Sequence, residues 1–158
     1  MNIAFEHQIF TSQSYGGISR YYTILADRLL GLSQNVSVLA GVHRNHYLYD
    51  LPRGCVHGVK LFPYPSKTGP IFHGLNHILT QAQIAARRPN IIHETYYSSM
   101  PRIGSNSIRV TTAYDMIHEL YRDNFPLSDR TTQKKRKTFE RVDHIISISE
   151  NTKKDLVN

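Results

Sequence analysis

A chain of 158 residues, 40% hydrophobic and 20% charged, has the makeup of one globular domain with a core of its own. It holds no run of about 18 apolar residues, which excludes a membrane-spanning helix. Its single cysteine, Cys55, excludes an intrachain disulfide framework and any Cys-rich metal site. The formal net charge of +7 points to an anionic partner such as nucleic acid, anionic lipid or a phosphorylated substrate. The N-terminus, Met1-Asn2-Ile3-Ala4-Phe5-Glu6, reads as a strand and not as a signal peptide, so a cytoplasmic location is expected.

Ile3 to Phe5 form the first expected strand, followed by a polar loop and then by Tyr15-Gly16-Gly17-Ile18-Ser19-Arg20. A glycine pair between strand and helix permits a tight turn and lets backbone N–H groups approach a ligand. The helix behind it brings partial positive charge and open donors, which suit phosphate or carboxylate. A plain strand-to-helix turn is the alternative. Ile18, Tyr22, Leu25 and Leu29 fall on one helix face, with Gly31 as the C-cap. Val36 to Ala40 is the second strand, ending at Gly41, and a loop rich in His, Tyr and Pro runs from Val42 to Gly58. Val59-Lys60-Leu61-Phe62 alternates as a third strand, stopped by Pro63 and Pro65.

Gly69-Pro70 opens the next helix, whose apolar stripe is Ile71, Leu75, Ile78, Leu79, Ala82 and Ala86, and Arg87-Arg88-Pro89 closes it. Ile91 to Thr95 and Ile108 to Ala113 are the fourth and fifth strands. A loop from Tyr114 to Pro126 follows, then a polar helix from Ser128 to Arg141, and a sixth strand from His144 to Ser149. A last helix starts near Glu150 and stops after about two turns, which reads as a fragment rather than a whole protein. Strands that alternate with helical stretches predict an α/β fold: a doubly wound, mainly parallel sheet of six or more strands. Ligands of such sheets sit at the carboxyl ends of the strands, near the switch in strand order. Gly16-Gly17, His93-Glu94 and Tyr114-Asp115 all belong to that edge.

Other features carry less. Lys134-Lys135-Arg136-Lys137 has no helix-turn-helix, zinc-finger or RNA-binding signature beside it, so nucleic acid is not an expected partner. The run reads as a solvated helix face, with contact to an anionic membrane surface as its functional alternative. His73 and His77 are four apart on a helix, but no third ligand is evident, and they read as surface histidines; no metal is expected. Tyr47 and Tyr49, and Tyr96-Tyr97, suit either stacking on sugar or lipid or simple packing. A dinucleotide-dependent oxidoreductase is disfavoured. Gly16-Gly17 lacks the Gly-x-Gly-x-x-Gly spacing, and Gly41-Val42-His43 stands where the ribose-binding acid belongs.

Four stretches together resemble the N-terminal domain of GT-B glycosyltransferases of the retaining family 4 type. They are Tyr15 to Tyr21, Pro89 to Glu94, Val110 to Glu119 and Val142 to Leu156. The resemblance implies two Rossmann-like domains facing a cleft, of which residues 1–158 are the acceptor-binding one and the donor-binding one is absent from this chain. It implies transfer of a sugar, hexosyltransferase-type, from a nucleotide-sugar donor to a glycan or lipid-linked acceptor in polysaccharide biosynthesis. No cofactor or metal is implied. Peripheral contact with the inner membrane face is compatible, and the isolated 158 residues are expected to be inactive and prone to self-association. By resemblance, Gly16, Gly17 and Arg20 approach the donor diphosphate; His93 and Asp115 are the catalytic candidates; and Glu94, Tyr114 and His118 are acceptor-binding. Tyr114 stands before Asp115 where the family more often has His. Glu94 has a second reading, as the partner that fixes the His93 tautomer. Apart from the resemblance, the charge alone admits a non-catalytic anion- or nucleic-acid-binding α/β module.

Overall fold

A computed structural model describes residues 1–65, 67–102, 104 and 106–157. Strands β1 (Asn2–Phe5), β2 (Asn35–His43), β3 (Val56–Lys60), β4 (Ile91–Glu94), β5 (Ile108–Ala113) and β6 (His144–Ser147) form one sheet in the order β3-β2-β1-β4-β5-β6. Every pairing is parallel. The order reverses between β1 and β4, so this is a doubly wound sheet with its switch point at its centre. The helices are α1 (Gln8–Ser12), α2 (Gly17–Gly31), α3 (Gly69–Arg87), α4 (Ile117–Leu120), α5 (Thr131–Phe139) and α6 (Glu150–Val157).

The two faces of the sheet differ in chemistry. On one, Ile3, Phe5, Val36, Val38 and Ala40 pack with Tyr22 and Ala26 of α2 and with Ile9 and Phe10 of α1 in a large apolar cluster. On the other, the buried apolar set among the described residues is Ala4, Leu39, Ile84 and Ile92. The rest of that face is polar: Glu6, Glu94, Arg109 and Thr111 are buried there.

This asymmetry turns α3 over. Its expected core stripe is exposed, with Ile71 at 67% and Ile78 at 68% of full accessibility, while Asn76, Thr80, Gln81 and Ile84 are buried. The helix presents polar groups because the sheet face beneath it is polar. Asn76 shows how. Its Oδ1 accepts from Val42 N at 2.7 Å, and its Nδ2 donates to Val42 O at 2.7 Å and to Thr11 Oγ1 at 2.9 Å. One carboxamide thus ties α3 to β2 and to α1. It reaches the backbone because Gly41 has φ +43 and a Cβ there would overlap it.

The remaining differences from the sequence reading are local. Strand β2 continues through Gly41 to His43, across a register shift between Val38 and Gly41. Strand β3 starts and ends earlier than expected, at Val56 and Lys60, because its register is set where Gly58 lies directly against the Gly41 backbone. The polar loop after β1 is α1, and the loop after β5 contains α4 and a 3₁₀ turn over Arg122–Asn124. A further 3₁₀ turn spans Tyr47–Asp50.

The inverted helix makes a sharp forecast for urea unfolding. Asn76→Ala takes the acceptor from half-buried Val42 N and leaves Val42 O with Tyr64 Oη alone, and is expected to cost about 1–3 kcal/mol. Ile78→Ala is expected to change stability by less than about 0.5 kcal/mol, where a core isoleucine would cost about 2–5 kcal/mol.

Candidate functional site

Phe5 and His93 are register partners on β1 and β4, and the residues after them, Glu6 and Glu94, turn to the opposite, polar face. Both carboxylates are fully buried, and three arginines converge on them. Arg102 reaches Glu6 at 3.1 Å and Glu94 at 3.2 Å; Arg109 reaches them at 3.4 and 3.5 Å; Arg141 reaches Glu94 at 2.7 Å. Gln8 Nε2 donates to Glu6, and Arg102 Nη1 bonds His77 Nδ1 at 3.0 Å. Burial pushes the Glu6 carboxyl above its usual range, against the pull of Arg102. Burial also opposes ionisation of Glu94, but Arg102 and Arg141 outweigh it and hold Glu94 below its usual range. The partners of Glu94 are therefore arginines, not His93.

Above this cluster, at the carboxyl ends of β1 and β4, lies a crevice of about 560 Å³. Its walls are His7, Gln8 and Ser12 from β1 and α1, Gly69, Pro70 and His73 from the start of α3, Tyr96 to Met100 after β4, and Thr131 and Lys134 of α5. Ser12 Oγ lies 3.2 Å from His73 Nε2, and the His7 and His73 rings are 5.9 Å apart. Two tyrosines beside hydroxyl, imidazole and ammonium groups make a surface that suits a polyhydroxylated ring. Sequence reasoning picked out Tyr96-Tyr97 but passed over His7, Ser12, His73 and Lys134. The signals for His73 and Lys134 were the His73/His77 spacing and the basic run, each read as surface. His73 and His77 are instead half-buried and hydrogen-bonded, and among the described residues no group of three His, Cys, Asp or Glu could hold a metal.

The expected site residues occupy this edge in different ways. Gly16 is the N-cap of α2, and a Cβ at Gly17 would meet nothing within 4 Å. Ser19 N is taken by Gln13 Oε1 at 3.3 Å. Arg20 is exposed. His93 is 4% exposed, packed against Phe5 and Tyr22, with Nε2 at 3.3 Å from Tyr22 Oη and 3.0 Å from Thr112 Oγ1. Tyr114 is half-buried among Tyr21, Tyr96 and Tyr97. Asp115 has a side chain 46% exposed and caps α4 through Ile117 N. His118 stacks on Phe125 at 3.9 Å and lies 3.4 Å from Asp129. The basic run is not a uniformly solvated face, because Lys135 is buried, bonded to Asp115 O at 2.8 Å and Glu119 Oε2 at 2.7 Å.

The family model for Glycosyltransferase Family 4 matches residues 15–158. The chain belongs to glycosyltransferase family 4. Its six-stranded parallel sheet with helices on both faces is the Rossmann-like N-terminal domain of a GT-B fold. No curated protein and no solved structure matches the chain. No described helix is long and apolar enough to cross a membrane.

Three buried histidines give this family 4 domain a definite acid response. Burial lowers His7 to about 3, with help from His73 and Arg102, and lowers His43 and His93 to about 4, from 6.5. The unfolded chain therefore takes up protons first as pH falls. The stability that these groups contribute is complete above about pH 6.5 and drains away towards about pH 4. Glu94, held low, acts in the same sense at lower pH, and Glu6, held high, acts oppositely. The urea midpoint is expected to fall steadily from pH 7 to pH 4.5. His7→Gln should flatten that slope by up to about 1.4 kcal/mol per pH unit, the value of one proton.

Proposed function

We propose that this domain is the acceptor-binding half of a glycosyltransferase that moves a hexose from a nucleotide-sugar donor to a glycan or lipid-linked acceptor. The donor's nucleoside is held by a second domain outside these residues. The observation that carries the reading is the crevice at the switch point of the sheet, walled by Tyr96 and Tyr97 and by Ser12, His73 and Lys134, in a chain whose family moves sugars.

The division of labour follows from charge. Glycosyl transfer develops a cationic sugar and an anionic diphosphate leaving group, so donors must face the diphosphate. The first N–H groups of α2, at Gly17 and Ile18, have no acceptor within the helix, and the space over Gly17 is open. Arg20 adds an exposed cation to the same turn. Asp115, with a side chain 46% exposed at this edge, is assigned to the acceptor hydroxyl, with Tyr114 and His118 bordering it. His93 acts as a positioning residue, bracing Tyr22 and Thr112. Glu94 acts through Arg102 and Arg141, which fix the loop floor of the crevice. The alternative, a nucleic-acid-binding module, draws only on the +7 charge. Arg102, Arg109, Lys135 and Arg141 are already engaged by carboxylates, so they add nothing to a basic surface of the kind nucleic acid needs.

Steady-state kinetics of the enzyme carrying both domains test this. Gly17→Val is expected to raise the donor KM by about ten-fold or more with little change in melting temperature, because the new side chain fills space that the diphosphate needs. Tyr96→Ala is expected to raise the acceptor KM by about ten-fold while leaving the donor KM alone, through loss of ring stacking. Unchanged kinetics in both variants would remove the assignment.

A further inference from the structure

The outward face of α3 is a feature that the transferase reading leaves unused. Ile71, Leu75, Ile78 and Leu79 are exposed along it, a stripe of the kind a lone globular surface seldom carries. It continues onto the segment after β3. Tyr64 stacks on Phe72 at 4.4 Å, and Arg44 lies over the rings of Tyr64 and of Phe62, which is 49% exposed. The charge around the stripe has one sign. Residues 51–93 contain no Asp or Glu, but contain Arg53, Lys60, Lys67, Arg87 and Arg88. Exposed Lys67 stands just before the helix, and exposed Arg87 and Arg88 stand at its end.

We propose that the outer face of α3, with Phe62, docks the domain flat on an anionic lipid surface, its apolar stripe entering the headgroup layer between cations at both ends. A helix with an apolar face and flanking basic residues lies in such an interface. A second copy of the chain is the poorer occupant. Pairing α3 with itself about a two-fold axis sets cations against cations, and residues 51–93 offer no carboxylate to neutralise them. An anionic bilayer supplies both the apolar layer and the opposite charge. The proposal moves the membrane contact from the basic run of α5, where Lys135 is buried and Arg136 is paired with Glu140, to α3.

Vesicle co-sedimentation of the 158-residue chain tests the proposal. The chain is expected to bind phosphatidylcholine vesicles containing about one-third phosphatidylglycerol at least ten-fold more tightly than phosphatidylcholine alone, and to release as salt shortens the range of the charges. The Ile71→Ser/Ile78→Ser double variant is expected to lose about ten-fold or more of that binding with an unchanged melting temperature. Arg136→Gln/Lys137→Gln is expected to retain it. Equal binding by wild type and the Ile71→Ser/Ile78→Ser variant overturns the proposal. So does an absence of vesicle binding together with a dimer in sedimentation velocity that the same variant dissolves, which would assign the face to a second copy.

Discussion

Two carboxylates that no water reaches set the terms for this structure. Glu6 and Glu94 end adjacent central strands and point to the same side of the sheet. Placed alone in that interior, each would cost several kcal/mol, and together they would repel as well. Arg102, Arg109 and Arg141 make the pair tolerable. They come from the segment after β4, from β5 and from just after α5, so these parts of the chain are held to the switch point by charge as well as by packing. Removing any one arginine would leave a buried charge under-compensated, which is far more costly than the pair is worth intact.

The same choice of chemistry spreads outward. A sheet face that carries ions cannot be covered by an apolar helix, so α3 covers it with Asn76, Thr80, Gln81, His73 and His77. The apolar residues of α3 are then left outside. The crevice, too, belongs to this polar face. Its histidines and its Ser12 are continuous with the hydrogen bonds that satisfy the ions beneath, through His7, Gln8 and His77. The apolar face, with Phe5, Tyr22 and Ile9, gives the domain its conventional core, and His93 belongs there.

Much of the fold was legible in the sequence because short apolar strands and turn residues are local signals. All six strands, α2, α3 and α5 fall where periodicity and glycine or proline placed them, within a few residues. What escaped was set by contacts distant in sequence. The register of β3 depends on Gly58 meeting Gly41, which alternation in Val59 to Phe62 cannot reveal. Which face of α3 is buried depends on what the sheet presents to it, and periodicity reports only that two faces exist. For the site, the glycine turn and the carboxyl-edge clustering were readable. The partners of Glu94 were not, since Arg102 and Arg141 carry no motif. His93 followed strand alternation inward, opposite to Glu94, a parity that the pair of adjacent polar residues concealed.

Synthesis of the chain proceeds from the wrong end for its own central charge cluster. Glu6 is among the first residues to leave the ribosome, yet the guanidinium groups that it meets, of Arg102 and Arg109, follow only in the second half of the chain. Until β4 and Arg102 emerge, the half-sheet of β1, β2 and β3 has its innermost edge open and Glu6 beside it without its arginines. The first half of the chain therefore lacks the partners of its own central strand, and the domain can close only late, once β4, β5 and their arginines arrive.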